Sequence, residues 1–98
     1  MRQITKESID AFNWGFTFSK SNMNVKVFND VVKLQYHGNT IAIKNRITNK
    51  VSITNCGWFT NTTKERLNAL DGVYIYQKNF IWYLNGKEWN GSLIEINN

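Results

Sequence analysis

The side chains best suited to meet a ligand stand in residues 60–66, where Thr60, Asn61, Thr62 and Thr63 are followed by Lys64 and Arg66. At a helix start, free backbone N–H groups and the positive end of the helix dipole favour an anion, and nearby cations strengthen that preference. A phosphate or another anionic small molecule is the chemistry such a segment would serve. The same hydroxyls are also what a short helix uses to cap itself, so a structural role stands beside the binding one. Tyr74, Tyr76 and Lys78 form a second group. By the period of two they share a strand face opposite the aliphatic positions, and Lys26, Lys33 and Lys44 do likewise on earlier strands. If those faces coincide, aromatic rings among lysines would stack single-stranded bases; if not, the tyrosines are ordinary strand formers.

Catalytic and metal chemistry finds little support. Histidine and cysteine occur once each, at His37 and Cys56, so one chain cannot assemble the usual nitrogen and sulfur metal site. Beside Gly57, Cys56 is expected to be a small buried filler. No phosphate-binding loop, dinucleotide fingerprint or nucleophile elbow is present. Glu65 is assigned to a helix cap, Asp71 to a helix end, and Glu88 stands alone. The expectation is a protein that is not an enzyme and carries no cofactor.

The elements that must position these groups can be read from punctuation and alternation. Thr62 followed by Glu65 reads as a capping box and predicts a helix over about 62–71, with Leu67 and Leu70 on one face and Gly72 releasing the chain. On that reading Thr62 holds the cap, whereas Lys64 and Arg66 are exposed charges whose loss leaves stability almost unchanged. Residues 5–12 read as one or two helical turns, with Ile4, Ile9, Ala11 and Phe12 as the buried side, ended by Gly15. Residues 22–29 and 31–37 alternate as a hairpin around Asn29-Asp30, with Val25 and Val27, then Val32, Leu34 and Tyr36, on one face. After a turn at Gly38-Asn39, residues 40–45 place Ile41 and Ile43 inward and Lys44 outward, and residues 50–55 place Val51 and Ile53 inward.

Beyond the helix, Val73 and Ile75 face inward and residues 80–84 are apolar on both faces, the mark of a central strand. Asn85-Gly86 is the strongest hairpin signal in the chain, returning it into Lys87, Glu88 and Trp89. Residues 92–96 either pair at an edge or hang free. Trp58, Trp82 and Trp89 are expected in the core or at hairpin closures. The predicted architecture is α+β: an antiparallel meander sheet with one short helix packed on it and a C-terminal hairpin.

Composition sets the outer limits. Ninety-eight residues suit a single domain over 1–98, and four Trp, four Tyr and six Phe supply its buried area. No proline is present, so turns fall to asparagine and glycine. One cysteine rules out an internal disulfide, and no apolar run approaches a membrane span of about 20 residues. A cytoplasmic setting is the expectation. Twelve basic against seven acidic residues give a formal charge of +5, which favours encounter with nucleic acid or acidic partners.

Three blocks carry a resemblance. YHGNTIA at 36–42, GWFTNTTKERLNAL at 57–70 and WYLNGKEWNG at 82–91 are similar to a family of small proteins encoded by tailed bacteriophages, whose pattern runs LHGN-IA, GW-T-TTK-RLN and WYLNG--WDG. The sequence departs from it at Tyr36, where leucine is usual, and at Asn90, where aspartate is usual. The resemblance implies a phage origin, a host-cytoplasm location and an accessory role. The partner expected is a host or defence-system protein, as in counter-defence or sequestration, or an anionic small molecule. Single-stranded nucleic acid is the alternative, and self-association is left open.

Overall fold

In the computed structural model, residues 2–96 are described. The first element is α1, Gln3–Trp14. It is longer than the one or two turns expected, because Thr5, Ser8, Ile9 and Phe12 complete an i, i+3, i+4, i+7 stripe that is buried throughout. The two polar members are accommodated: Ser8 Oγ donates to the Thr5 carbonyl at 2.8 Å, and the Thr5 hydroxyl has a partner described below. Gly15, at φ 76°, closes the helix in the left-handed conformation with its N–H on the Ala11 carbonyl.

Five strands follow, of which the first, β1 (Phe18–Lys20), is too short to show alternation in sequence. β2 (Met23–Val27) and β3 (Val31–Tyr36) form the expected hairpin around Asn29-Asp30, with Val25 opposite Leu34 and Lys26 opposite Lys33. The next turn is shifted by one residue. Its two central positions are His37 and Gly38, at φ 51° and 79°, so His37 leaves the strand and Asn39 opens β4 (Asn39–Asn45) opposite Tyr36.

A β-bulge then overturns the expected facing of β4. Gln35 pairs with Thr40 but Leu34 pairs with Ala42, leaving Ile41 as an inserted residue; both Ile41 and Ala42 are buried. Since the side-chain period is two, one insertion flips everything beyond it. Lys44 therefore opposes the core residue Val32, while Ile43 opposes Lys33 on the outer face. The Lys44 amine reaches the end of α1, donating to the Asn13 carbonyl at 2.6 Å and lying 5.9 Å from the Phe12 ring centroid. Burial, with the neighbouring Arg46 charge second, lowers its pKa from the ordinary lysine value. β5 (Val51–Ile53) completes the meander with Ile53 buried as expected.

Within the described residues the helix predicted over 62–71 is α2, Asn61–Asn68. Leu67 and Leu70 are both buried, and Asn68 brackets the next strand, taking the Ile75 N–H at 2.6 Å and donating to the Ile75 carbonyl at 3.0 Å. β6 (Ile75–Lys78), β7 (Ile81–Leu84) and β8 (Lys87–Glu88) form a separate three-stranded sheet with β7 central. Trp82 and Leu84 point to the core, but Ile81 is exposed, so β7 is apolar on both faces without being covered on both. Asn85-Gly86, at φ 50° and 89°, makes the expected two-residue loop.

β9 (Ile94–Ile96) returns to pair with β5, giving a six-stranded sheet ordered β1-β2-β3-β4-β5-β9. The fold is α+β with an antiparallel meander sheet. Its core joins Phe12 of α1, Val25, Leu34 and Ile53 of the large sheet, Leu67 of α2, and Trp82 of the small sheet. No helix among the described residues is long and apolar enough to cross a membrane.

Candidate functional site

The loop leading into α2 does cap a helix, but through a different residue. Thr60 is the N-cap: its hydroxyl accepts the Thr63 N–H at 3.2 Å and lies 2.9 Å from the Thr63 hydroxyl. The helix thus begins two residues before the position Thr62-Glu65 suggested. Glu65 is redirected, its Oε1 lying 2.7 Å from Arg66 Nη1 and 3.5 Å from Arg2 Nε. Thr60→Ala should therefore lower stability by roughly 0.5–2 kcal/mol, while Thr62→Ala stays within about 0.5 kcal/mol of the parent in a denaturant titration.

The threonines and the cations are separated. Thr60, Thr62 and Thr63 line a cleft of about 260 Å³ together with Trp58. Its other side comes from Tyr36, His37, Asn39 and Ile41 of the β3–β4 hairpin. Lys64 and Arg66 do not line it: the Lys64 amine sits 5.9 Å from the Trp82 ring centroid, and Arg66 is 1% exposed. Arg66, read from sequence as an exposed cation, is an interior one. Its Nη1 donates to the Thr5 hydroxyl at 2.6 Å and to Glu65, and its guanidinium carbon lies 5.4 Å from the Tyr36 ring centroid. A helix of two turns gave no sign of burial on that face, because the group that buries it, α1, lies 61 residues away in sequence.

Trp58 is 54% exposed in the cleft, not a core residue, and Phe59 beside it is exposed to the same extent. The signal available for both was their position, next to a left-handed Cys56-Gly57 pair with no alternation to direct them inward. Cys56 itself is exposed, its φ is 54°, and its thiol donates to the Thr40 carbonyl at 3.0 Å. Partial burial raises that thiol's pKa, against a smaller lowering from its contact with Thr54, which keeps it in the protonated and less nucleophilic form.

The tyrosine face lies on the small sheet. Tyr76 and Tyr83 are cross-strand partners with rings stacked at 5.2 Å and 10°, and Tyr74 lies 5.4 Å from Tyr76. Lys78 is opposite Ile81 on the same face. Lys26 and Lys33 belong to the large sheet and Lys44 turns to the core, so the single platform of two tyrosines and four lysines does not form.

The β6–β7 loop carries an unexpected feature. Its central residues Asn79 and Phe80 have φ of 53° and 67°, and Phe80 is 94% exposed. Sequence alternation counted Phe80 as a strand residue.

These features define an α+β protein with an aromatic cleft beside a capped helix and a second aromatic surface on a hairpin. The sequence profile of the Kyanoviridae Gp96 protein family matches residues 1–95, and the chain belongs to this phage protein family. Searches of the curated proteins and of the solved structures each return no match.

Proposed function

We propose that this phage protein acts without catalysis, as an accessory protein that binds a host or defence component in the infected cell, and that the β6–β7 hairpin is its contact. The observation that carries the reading is Phe80. A type I′ loop wants asparagine followed by glycine, and here a phenylalanine holds the glycine position at φ 67°. For a bulky L-residue that conformation costs about 1–2 kcal/mol, and an apolar ring exposed to 94% recovers nothing from burial. A residue held against stability in this way is accounted for by a bound state that buries it. Ile81 and the tyrosine ladder of Tyr74, Tyr76 and Tyr83 extend the surface, and aromatic rings of this kind anchor protein interfaces.

An anionic small molecule is favoured less, since Lys64 and Arg66 both stand outside the cleft lined by Thr60, Thr62 and Thr63. The sharpest test is Phe80→Gly. It should raise stability by about 0.5–1 kcal/mol, glycine's greater unfolded-state freedom offsetting part of the relieved strain, and yet remove a stoichiometric partner captured from host lysate by the parent protein. A variant that melts higher and still captures the same partner would overturn the reading, as would a parent protein that captures none.

A further inference from the structure

We propose that the outer face of the six-stranded sheet, on the side away from α1, binds single-stranded nucleic acid. This surface is distinct from the β6–β7 hairpin and does not depend on the function proposed there. The register places Lys26 directly opposite Lys33, an arrangement that destabilises an antiparallel pair. Phe28 follows at the next outward position of the same hairpin; it is 46% exposed, and the Lys33 amine lies 5.4 Å from its ring centroid. Arg46 completes the group, its Nη1 donating to the Phe28 carbonyl at 2.7 Å and its N–H to the Asp30 carbonyl at 2.9 Å. Among the described residues none of these three cations has a carboxylate within 4.0 Å, whereas Lys20, Lys50, Arg2 and Arg66 all do.

Two residues further along the strands the same face changes character. Ser19, Asn24, Gln35 and Thr40 run across four strands as a hydroxyl and amide row. Internal bonds join Ser19 Oγ to Asn24 Oδ1 at 2.7 Å and Gln35 Nε2 to Thr40 Oγ1 at 3.2 Å. An aromatic ring, a cluster of unpaired cations and a row of amides are thus set side by side on one pleated surface. Unpaired bases offer that combination its complement: a ring to stack, a phosphate to meet each cation, and hydrogen-bonding edges. A duplex hides those edges and rings, and an acidic polypeptide would use the cations alone.

The test is fluorescence anisotropy with a labelled oligothymidylate of about 15 nucleotides, followed from about 50 to about 200 mM salt. The intact protein should bind at the low end and weaken along a straight line in log salt. Lys26→Gln with Lys33→Gln should reduce the slope by about 1.4, the equivalent of two phosphate contacts, and lower affinity roughly tenfold or more. Phe28→Ala should weaken binding with the slope unchanged, and Lys78→Gln on the small sheet should change neither. Lys26 is exposed, so Lys26→Gln alone gives the same direction with about half the slope change if the double variant does not fold. Absence of binding at low salt, wild-type binding by the lysine variants, or equal affinity for a duplex or for polyglutamate would each overturn the proposal. Retention of oligonucleotide binding by Phe80→Gly separates this surface from the hairpin.

Discussion

Gly91→Ala should destabilise the protein by about 2–5 kcal/mol, and the loss should depend on Asn55. Gly91 has φ of 88°, and a Cβ built there would stand 2.2 Å from Asn55 Oδ1, 2.4 Å from its Nδ2 and 2.5 Å from its Cγ. The amide cannot move aside cheaply. Asn55 is 1% exposed, its Oδ1 takes the Gly57 N–H at 2.8 Å, and its own N–H bonds to the Gly91 carbonyl at 3.1 Å. That carbonyl also accepts the Thr54 hydroxyl at 2.7 Å. Conformational strain of about 1–2 kcal/mol and overpacking of about 1–3 kcal/mol therefore act together. Gly86→Ala is the internal control, since it shares the left-handed conformation at φ 89° but meets nothing within 4 Å; it should cost only the strain. In an Asn55→Ala background, Gly91→Ala should cost at least about 1 kcal/mol less, a coupling that a double-mutant cycle by denaturant titration measures directly. Additive effects would show that the clash is not what holds glycine at this position.

Arg66→Ala should be the second severe lesion, at about 3 kcal/mol, or a fall in melting temperature of about 12–24 °C for a chain of this size. Truncation leaves the Thr5 hydroxyl without its donor, takes the cation from above Tyr36 and opens a void where a long buried side chain stood. Glu65 has far less at stake, because it is more than a third exposed and retains Arg2; Glu65→Gln should cost under about 1 kcal/mol. Arg66→Met separates packing from charge. A buried cation replaced by an apolar side chain of similar length loses little or nothing, so methionine should recover most of the stability that alanine loses. Equal losses for the two variants would assign the effect to the hydrogen bond with Thr5 rather than to packing. A Thr5→Val variant with parental stability would remove that bond from the account.

The local elements were largely legible in the chain. Hairpins at Asn29-Asp30 and Asn85-Gly86, the alternation that buries Val25, Leu34, Ile53 and Ile75, and a short helix carrying Leu67, with Leu70 buried just past its end, all follow from turn chemistry and periodicity, because those rules act over a few neighbouring residues. What the tertiary structure decided lies beyond that range. The bulge at Ile41 reverses Ile43 and Lys44, and an inserted residue becomes visible only when two strands are paired. Local pattern reads Thr62 with Glu65 as the capping box, yet Thr60 caps α2, and Glu65 turns instead to Arg66 and Arg2. Arg66 reads as solvent-facing until α1 is laid over it. Tyr76 and Lys33 read as one platform until the strands divide into two sheets. Alternation tells which residues share a face of one strand, but only the packing of distant segments decides which faces meet, and burial, charge pairing and the candidate sites all depend on that meeting.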